Sequence, residues 1–250
     1  MKLYDHPKYY EIAFSYRNIQ SELDFFEYLI NKYSKIVVKE VLELASGTSP
    51  YLEEWNKRGY RYTGLDLNPE MVNYVKTKAK ERDIKARLLK DNLITFIIND
   101  YNADLVYTLL GSLYVKSDKE LFEHLNSVDF VLVKGGLYVL GEVVTPSMVD
   151  RKSDQWTISK KGIIVTTTYK AKGVNRKKQL QIEDLKLNIN DNGEKKIITS
   201  QILQKYFQPE ELKSLIKMHG KFETVGEYSN FSTQKMPERE ERPILVLRKL

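Results

Sequence analysis

The chain has 250 residues, 42% of them apolar, enough for one large domain or one domain carrying a sizeable insertion. It contains no cysteine, which excludes disulfides, thiolate metal sites and cysteine nucleophiles. Forty basic against 34 acidic residues leave a net charge of +6, which permits a nucleic-acid partner without arguing for one. No apolar run reaches membrane-spanning length and the N-terminus lacks a signal-peptide pattern, so a cytoplasmic protein is expected.

The first twenty residues are rich in tyrosine (Tyr4, Tyr9, Tyr10, Tyr16), and Ile19, Leu23, Phe26, Ile30 and Tyr33 then recur at helical spacing. Residues 41–44 read as a buried strand with an acid, Glu43, near its end. The small residues Ala45, Ser46, Gly47, Thr48 and Ser49 follow at once. Ser49 is predicted to cap a helix over 50–58, with Pro50 in its first turn and Gly59 as its stop. Residues 61–66 form a second strand ending in Asp66, and Asn68-Pro69 opens a helix that buries Met71, Val72 and Val75. A third strand over 84–89 ends at Lys90-Asp91-Asn92, and Phe96, Ile97 and Ile98 suggest a short buried turn. A fourth strand covers 103–110. Ser117 and Glu120 then make a capping box for a helix reaching Val128. Gly135-Gly136 is expected to turn the chain into a fifth strand, 137–144, with Glu142 near its C-terminal end.

Strands alternating with helices at this spacing predict a doubly wound, mostly parallel α/β sheet with right-handed crossovers. The alternation breaks between 145 and 207, where strand patterns at 162–170, 179–189 and 195–206 surround the hairpin signal Asn190-Asp191-Asn192-Gly193. About sixty residues of antiparallel meander read as an insertion. Its basic run Arg176-Lys177-Lys178 reads as a solvated turn and Trp156 as core. Pro209 then opens a helix carrying Leu212, Leu215 and Ile216, stopped by Gly220. Strands at 222–228 and 244–247 close the sheet around a polar loop, 231–242. The chain thus divides into an N-terminal core (1–144), a β insertion (145–207) and a closing helix and hairpin (208–250).

Strand, small-residue turn and helix let backbone amides approach a nucleotide-like ligand closely. Asp66, about twenty residues beyond the turn glycine, is placed to accept from ribose hydroxyls. Gly47 is the single glycine of the turn, with Ala45 and Ser49 where a pyrophosphate binder carries glycines, and no phosphate-loop Gly-Lys-Ser/Thr follows. Glu43 would repel phosphate but suit an ammonium or sulfonium group. These residues point to S-adenosylmethionine rather than NAD or ATP.

On these residues the chain resembles the class I S-adenosylmethionine-dependent methyltransferases of small-molecule type. Leu-Glu-Leu-Ala-Ser-Gly-Thr-Ser is a variant of the family's acid-x-Gly-x-Gly-x-Gly motif, and residues 62–71 are similar to its second motif. The resemblance implies a seven-stranded sheet and an N-terminal segment folded over the cofactor, with Tyr10 against it and Arg17 pairing with its carboxylate. It places Leu67, Asn68 and Met71 on the adenine face, with Asp91 and the Asn92 amide at the adenine edge. The Leu109 carbonyl falls at the cofactor's amino group. The Asp/Asn/Ser-Pro-Pro-aromatic signature of base- and glutamine-directed members is missing, as is an acid to hold a catechol-binding metal.

The activity expected is methyl transfer to an oxygen or nitrogen of a small molecule under the insertion, driven mainly by orientation in a closed pocket. Glu142, Tyr114 or His219 would serve if a base is needed. The histidines His6, His124 and His219 lack metal-ligand spacing, and no metal is expected. Two alternatives stay open: an RNA or protein acceptor, and a non-catalytic cofactor-binding module. A monomer or homodimer fits equally.

Overall fold

The protein is described from a computed structural model covering residues 2–143, 145–146, 149–150, 152–234 and 243–250. Its main sheet has seven strands: β1 (Glu40–Leu44), β2 (Arg61–Asp66), β3 (Ala86–Lys90), β4 (Ala103–Thr108), β5 (Leu132–Gly141), β10 (Phe222–Ser229) and β11 (Pro243–Lys249). They lie in the order β10-β11-β5-β4-β1-β2-β3, with β1 to β5 parallel and β11 antiparallel to both neighbours. The strand order reverses between β1 and β4, which opens a crevice at their C-terminal ends.

Helices cover both faces, so β1 and β4 are apolar on each side, as central parallel strands must be. Leu42, Leu44 and Val106 pack toward α5 (Asp118–Val131) and α6 (Pro209–His219). Val41, Leu105 and Tyr107 pack toward α2 (Ile19–Tyr33), α3 (Leu52–Lys57) and α4 (Pro69–Glu81). Asn68 caps α4 by accepting from the Glu70 and Met71 amides at 2.8 and 3.2 Å. Ser117 caps α5 at 3.2 Å, while the Glu120 carboxylate reaches the Lys116 amide at 2.7 Å, one residue before the expected partner. Gly220 ends α6 at φ +77°, as its position in the sequence suggests.

A second sheet is built from β6 (Asp154–Lys160), β7 (Ile163–Asn175), β8 (Leu180–Asp191) and β9 (Glu194–Lys205), all antiparallel. Asn192 and Gly193, both at positive φ, make the two-residue β8–β9 turn that the sequence signals. β7 and β8 run past the expected limits at their C-terminal ends, β9 matches its expected range to within one residue, and β6 is an additional strand. The inner face packs Ile163, Val165, Leu187, Ile189 and Ile198 on α1 (Pro7–Ala13). Trp156 seals this contact, donating its indole N–H to the Ala13 carbonyl at 2.7 Å and packing on Phe14 and Tyr16.

Three local expectations are corrected. Ser49 does not cap a helix: it sits at φ +47°, its amide donates to Ser46 at 2.7 Å, and α3 begins at Leu52. The tight turn consumes the residues that the capping pattern had assigned to the helix. Gly135-Gly136 is not a turn either, because β5 runs through both glycines. A Cβ on Gly136 would lie 2.7 Å from the Asp104 carbonyl, so glycine there permits the close approach of β4 where the register shifts. Ile97 is 63% exposed, while Phe96 and Ile98 are buried, so only the flanking residues anchor that segment. Val144 and most of the loop over 231–242 lie outside the described residues.

Candidate functional site

The C-terminal ends of β1, β4 and β5 share a backbone feature. Ala45, Leu110 and Glu142, each just past its strand, adopt φ of 52°, 54° and 57°. Non-glycine residues in the left-handed region carry strain, and such strain concentrates at functional sites. In the turn after β1, Ala45, Gly47 and Ser49 all have positive φ, which coils residues 45–49 tightly. A Cβ on Gly47 would lie 3.6 Å from the Tyr10 ring, so the turn faces α1 across a narrow space.

That space is a cavity of about 270 Å³. Tyr10, Phe14 and Arg17 wall it on the N-terminal side, the 45–50 turn on the second, and Leu109, Leu110 and Ser112 on the third. Glu43 opens into it while remaining 6% exposed, and Tyr62 donates a hydrogen bond to its carboxylate. Burial pushes the Glu43 carboxyl up to about 7, against the pull of the Tyr62 and Tyr107 hydroxyls. Asp66 stands behind the turn and holds it: one carboxylate oxygen accepts from the Gly47 amide at 2.7 Å, the other from Asn68 at 2.8 Å. Burial raises its carboxyl too, and these backbone donors oppose the rise.

Arg17 is almost fully enclosed. Its guanidinium pairs with Glu22 and lies 5.0 Å from the centre of the Tyr51 ring, so it reaches the cavity already neutralised. Lys78 on α4 donates to the Thr48 carbonyl at 2.6 Å and to Glu11 at 2.8 Å, tying the turn to α1. The sequence reading missed this lysine, whose only signal is its place between Val75 and Arg82 on one face of the helix.

The remaining expected residues stand in different surroundings. Leu67 is 62% exposed just past β2, and Met71 is wholly buried in protein. The Asp91 carboxylate accepts from its neighbour Asn92 at 2.7 Å, so that amide is engaged within the loop rather than open at the crevice. Glu142 is 7% exposed and within electrostatic reach of Arg17. The Tyr114 hydroxyl lies 3.4 Å from that of Tyr4. Burial raises the Tyr114 phenol, and the Glu183 and Asp66 carboxylates raise it further. His219 bonds Asn126 at 3.0 Å and stacks on Phe222 at the far end of α6. It is no candidate base for this cavity.

Residues 41–136 match the family model of a methyltransferase domain. No curated protein matches the chain. Among solved structures, an S-adenosylmethionine-dependent methyltransferase from Clostridium acetobutylicum is similar at 16% identity, 96% coverage of both chains and a TM-score of 0.79. The amino pentose methyltransferase CalS10 from Micromonospora echinaspora matches at 17% identity, 96% of both chains and a TM-score of 0.75. The sugar N-methyltransferase KedS8 from Streptoalloteichus matches at 16% identity, over 93% of this chain and 89% of its own, with a TM-score of 0.70. At these identities the likeness is one of fold, and it runs through the second sheet as well as the first. Among the described residues, no helix is long and apolar enough to cross a membrane.

Proposed function

We propose that the protein, whose residues 41–136 match the family model of a methyltransferase domain, is a class I, S-adenosylmethionine-dependent methyltransferase that methylates an oxygen or nitrogen of a small molecule. The acceptor would sit between the crevice and the second sheet. One observation carries the reading: Glu43, a buried carboxyl raised to about 7, opens into a cavity bounded by a tight positive-φ turn. Such an acid is complementary to a ligand that brings positive charge and not to one that brings phosphate. The residues present therefore fit the cofactor.

Asp66 and the turn over 45–49 would hold its nucleoside, Tyr10 and Arg17 its amino-acid end, and the Leu109 carbonyl its amino group. When bound, the cofactor supplies a methyl group already activated on a sulfonium. The protein's contribution is then to orient the acceptor and exclude water, which by itself is worth roughly 7–11 kcal/mol of barrier. Arg17 can turn its charge toward a ligand carboxylate only by sharing it with Glu22, a cost the bidentate geometry of a guanidinium can offset. Leu67 and Asp91 would flank the adenine side, whereas the Asn92 amide is taken by Asp91. Tyr114 would lie on the acceptor side, as would Glu142, which is within electrostatic reach of Arg17.

CalS10 and KedS8 are described as acting on an amino pentose and on a sugar nitrogen, and both carry the likeness across the insertion. That supports a polar acceptor of sugar size. The test is calorimetry with S-adenosylhomocysteine. Clear binding is expected, strongly weakened in Asp66→Ala; no binding to the wild-type protein overturns the reading.

A further inference from the structure

The second sheet changes character along its inner face. Where it meets α1 it is apolar, and toward the other end of β7 and β8 it becomes polar, with Tyr169, Gln181, Glu183 and Gln204 on that same face. This polar end is fixed against the main domain, because the Lys205 amide donates to the Val115 carbonyl at 2.7 Å. Tyr114 is the residue before that anchor. Glu183 therefore stands across from the strand ends, within electrostatic reach of both Tyr4 and Tyr114.

The side chains that turn donors toward Glu183 are all neutral, Tyr169, Gln181 and Gln204. Its Oε1 accepts from the Tyr169 hydroxyl at 2.7 Å and from the Gln181 amide nitrogen at 3.1 Å. Turning that nitrogen to Glu183 leaves Gln181 Oε1 with no hydrogen-bond partner, although Gln181 is wholly buried. Among the described residues no basic side chain pairs with Glu183. Glu11 and Glu22, by contrast, have Lys78 and Arg17. A carboxylate taken from water without a cation is costly, and a buried unpaired acceptor adds to the cost. Burial raises the Glu183 carboxyl accordingly. The Glu183 and Gln181 oxygens there call for donors, while Gln204 Nε2, across the strand from Gln181, completes no hydrogen bond and is open to an acceptor group of the same ligand. The cross-strand partner of Glu183, Ile202, though neither Glu183 nor Gln181 itself, lines a groove of about 750 Å³ that runs past Lys2, Tyr4, Asn68 and Lys186.

Resting on the methyltransferase reading above, we propose that Glu183, with Gln181, is the acceptor-recognition point of the insertion and that it selects an amine-bearing small molecule. An ammonium group supplies both the missing charge and several N–H donors in one group, whereas a hydroxyl supplies a single donor and no charge. Glu183 is thus a specificity residue on the insertion, separate from the groups assigned to the cofactor.

The test uses the full chain saturated with S-adenosylhomocysteine, with glucosamine and glucose as matched probes, followed by thermal shift and calorimetry. Glucosamine is expected to stabilise the wild-type protein and glucose not. Glu183→Gln should weaken glucosamine at least about tenfold, the scale of losing a charged hydrogen bond, and leave S-adenosylhomocysteine affinity unchanged. Glu183→Asp should lie between the two. The ligand-free Glu183→Gln protein should melt no lower than wild type near pH ~8, because an amide replaces a carboxylate that lacks a cation. Equal responses to the two sugars, no response to either, or glucosamine binding untouched by Glu183→Gln would overturn the proposal. Failure of S-adenosylhomocysteine to bind would instead overturn the methyltransferase reading beneath it.

Discussion

Asp66 and Gly47 are joined by a hydrogen bond of 2.7 Å from the Gly47 amide to the Asp66 carboxylate, which ties the end of β2 to the turn after β1. The acid that the sequence assigns to a ribose thus has a second task, since its other oxygen takes the Asn68 amide at the start of α4. Asp66→Ala removes the partner of two partly buried donors. It should cost about 2 kcal/mol of stability, against less for Asp66→Asn, which keeps one acceptor. Urea denaturation measures that cost, and calorimetry separates it from the larger loss of cofactor affinity.

A second expectation concerns protons. With its carboxyl raised to about 7, Glu43 is partly protonated at neutral pH in the ligand-free protein. A ligand that brings positive charge to the cavity favours the ionised form, so binding near pH 7 should release about half a proton, falling toward zero at higher pH. Titration calorimetry in buffers of different ionisation heat reads this number directly. Glu43→Gln should abolish the release.

His124 sets an acid limit to stability. It is wholly buried between the Leu93 carbonyl, 2.6 Å from Nδ1, and the Tyr138 hydroxyl, 2.5 Å from Nε2. Burial lowers its pKa from 6.5 to about 4. The folded protein holds the neutral ring, while the unfolded chain takes up a proton below 6.5. The stabilisation is therefore complete above about pH 6.5 and lost as pH falls toward 4, by about 3 kcal/mol in all. Denaturation between pH 4 and 7 should show this slope, and His124→Phe should flatten it.

The Arg17–Glu22 pair should behave as a unit. Both side chains are nearly enclosed, at 6% and 10% exposure, and the Tyr51 hydroxyl also donates to Glu22. Removing one partner strands a buried charge, so Arg17→Ala and Glu22→Ala should each cost about 3–5 kcal/mol. The double variant should cost clearly less than their sum, and a double-mutant cycle in urea measures the difference. Additive losses would place the two groups in solvent rather than in one buried network.

The order of strands and helices was legible in the sequence because a parallel sheet covered on both faces demands continuous apolar strands with amphipathic helices between them. Residues 61–66 and the Asn68-Pro69 start of α4 stand where local patterning puts them, and so does the Asn192-Gly193 turn. The sequence likewise carried the separation of Glu43 from Asp66 and the small residues between. What local patterning could not supply was backbone conformation imposed by neighbours. The positive φ of Ser49 overrides its capping preference, and the approach of β4 to Gly136 turns an apparent loop into a strand.

Side-chain partners across long separations were decided by the tertiary structure alone. Nothing near Arg17 in the chain reveals that Tyr51 shares its charge, and nothing near Glu183 reveals Tyr4 or Tyr114. A strand's sequence fixes which residues share a face. Only the docking of the second sheet onto α1 and the main domain fixes what that face meets, and whether a carboxylate there finds a cation or waits for one.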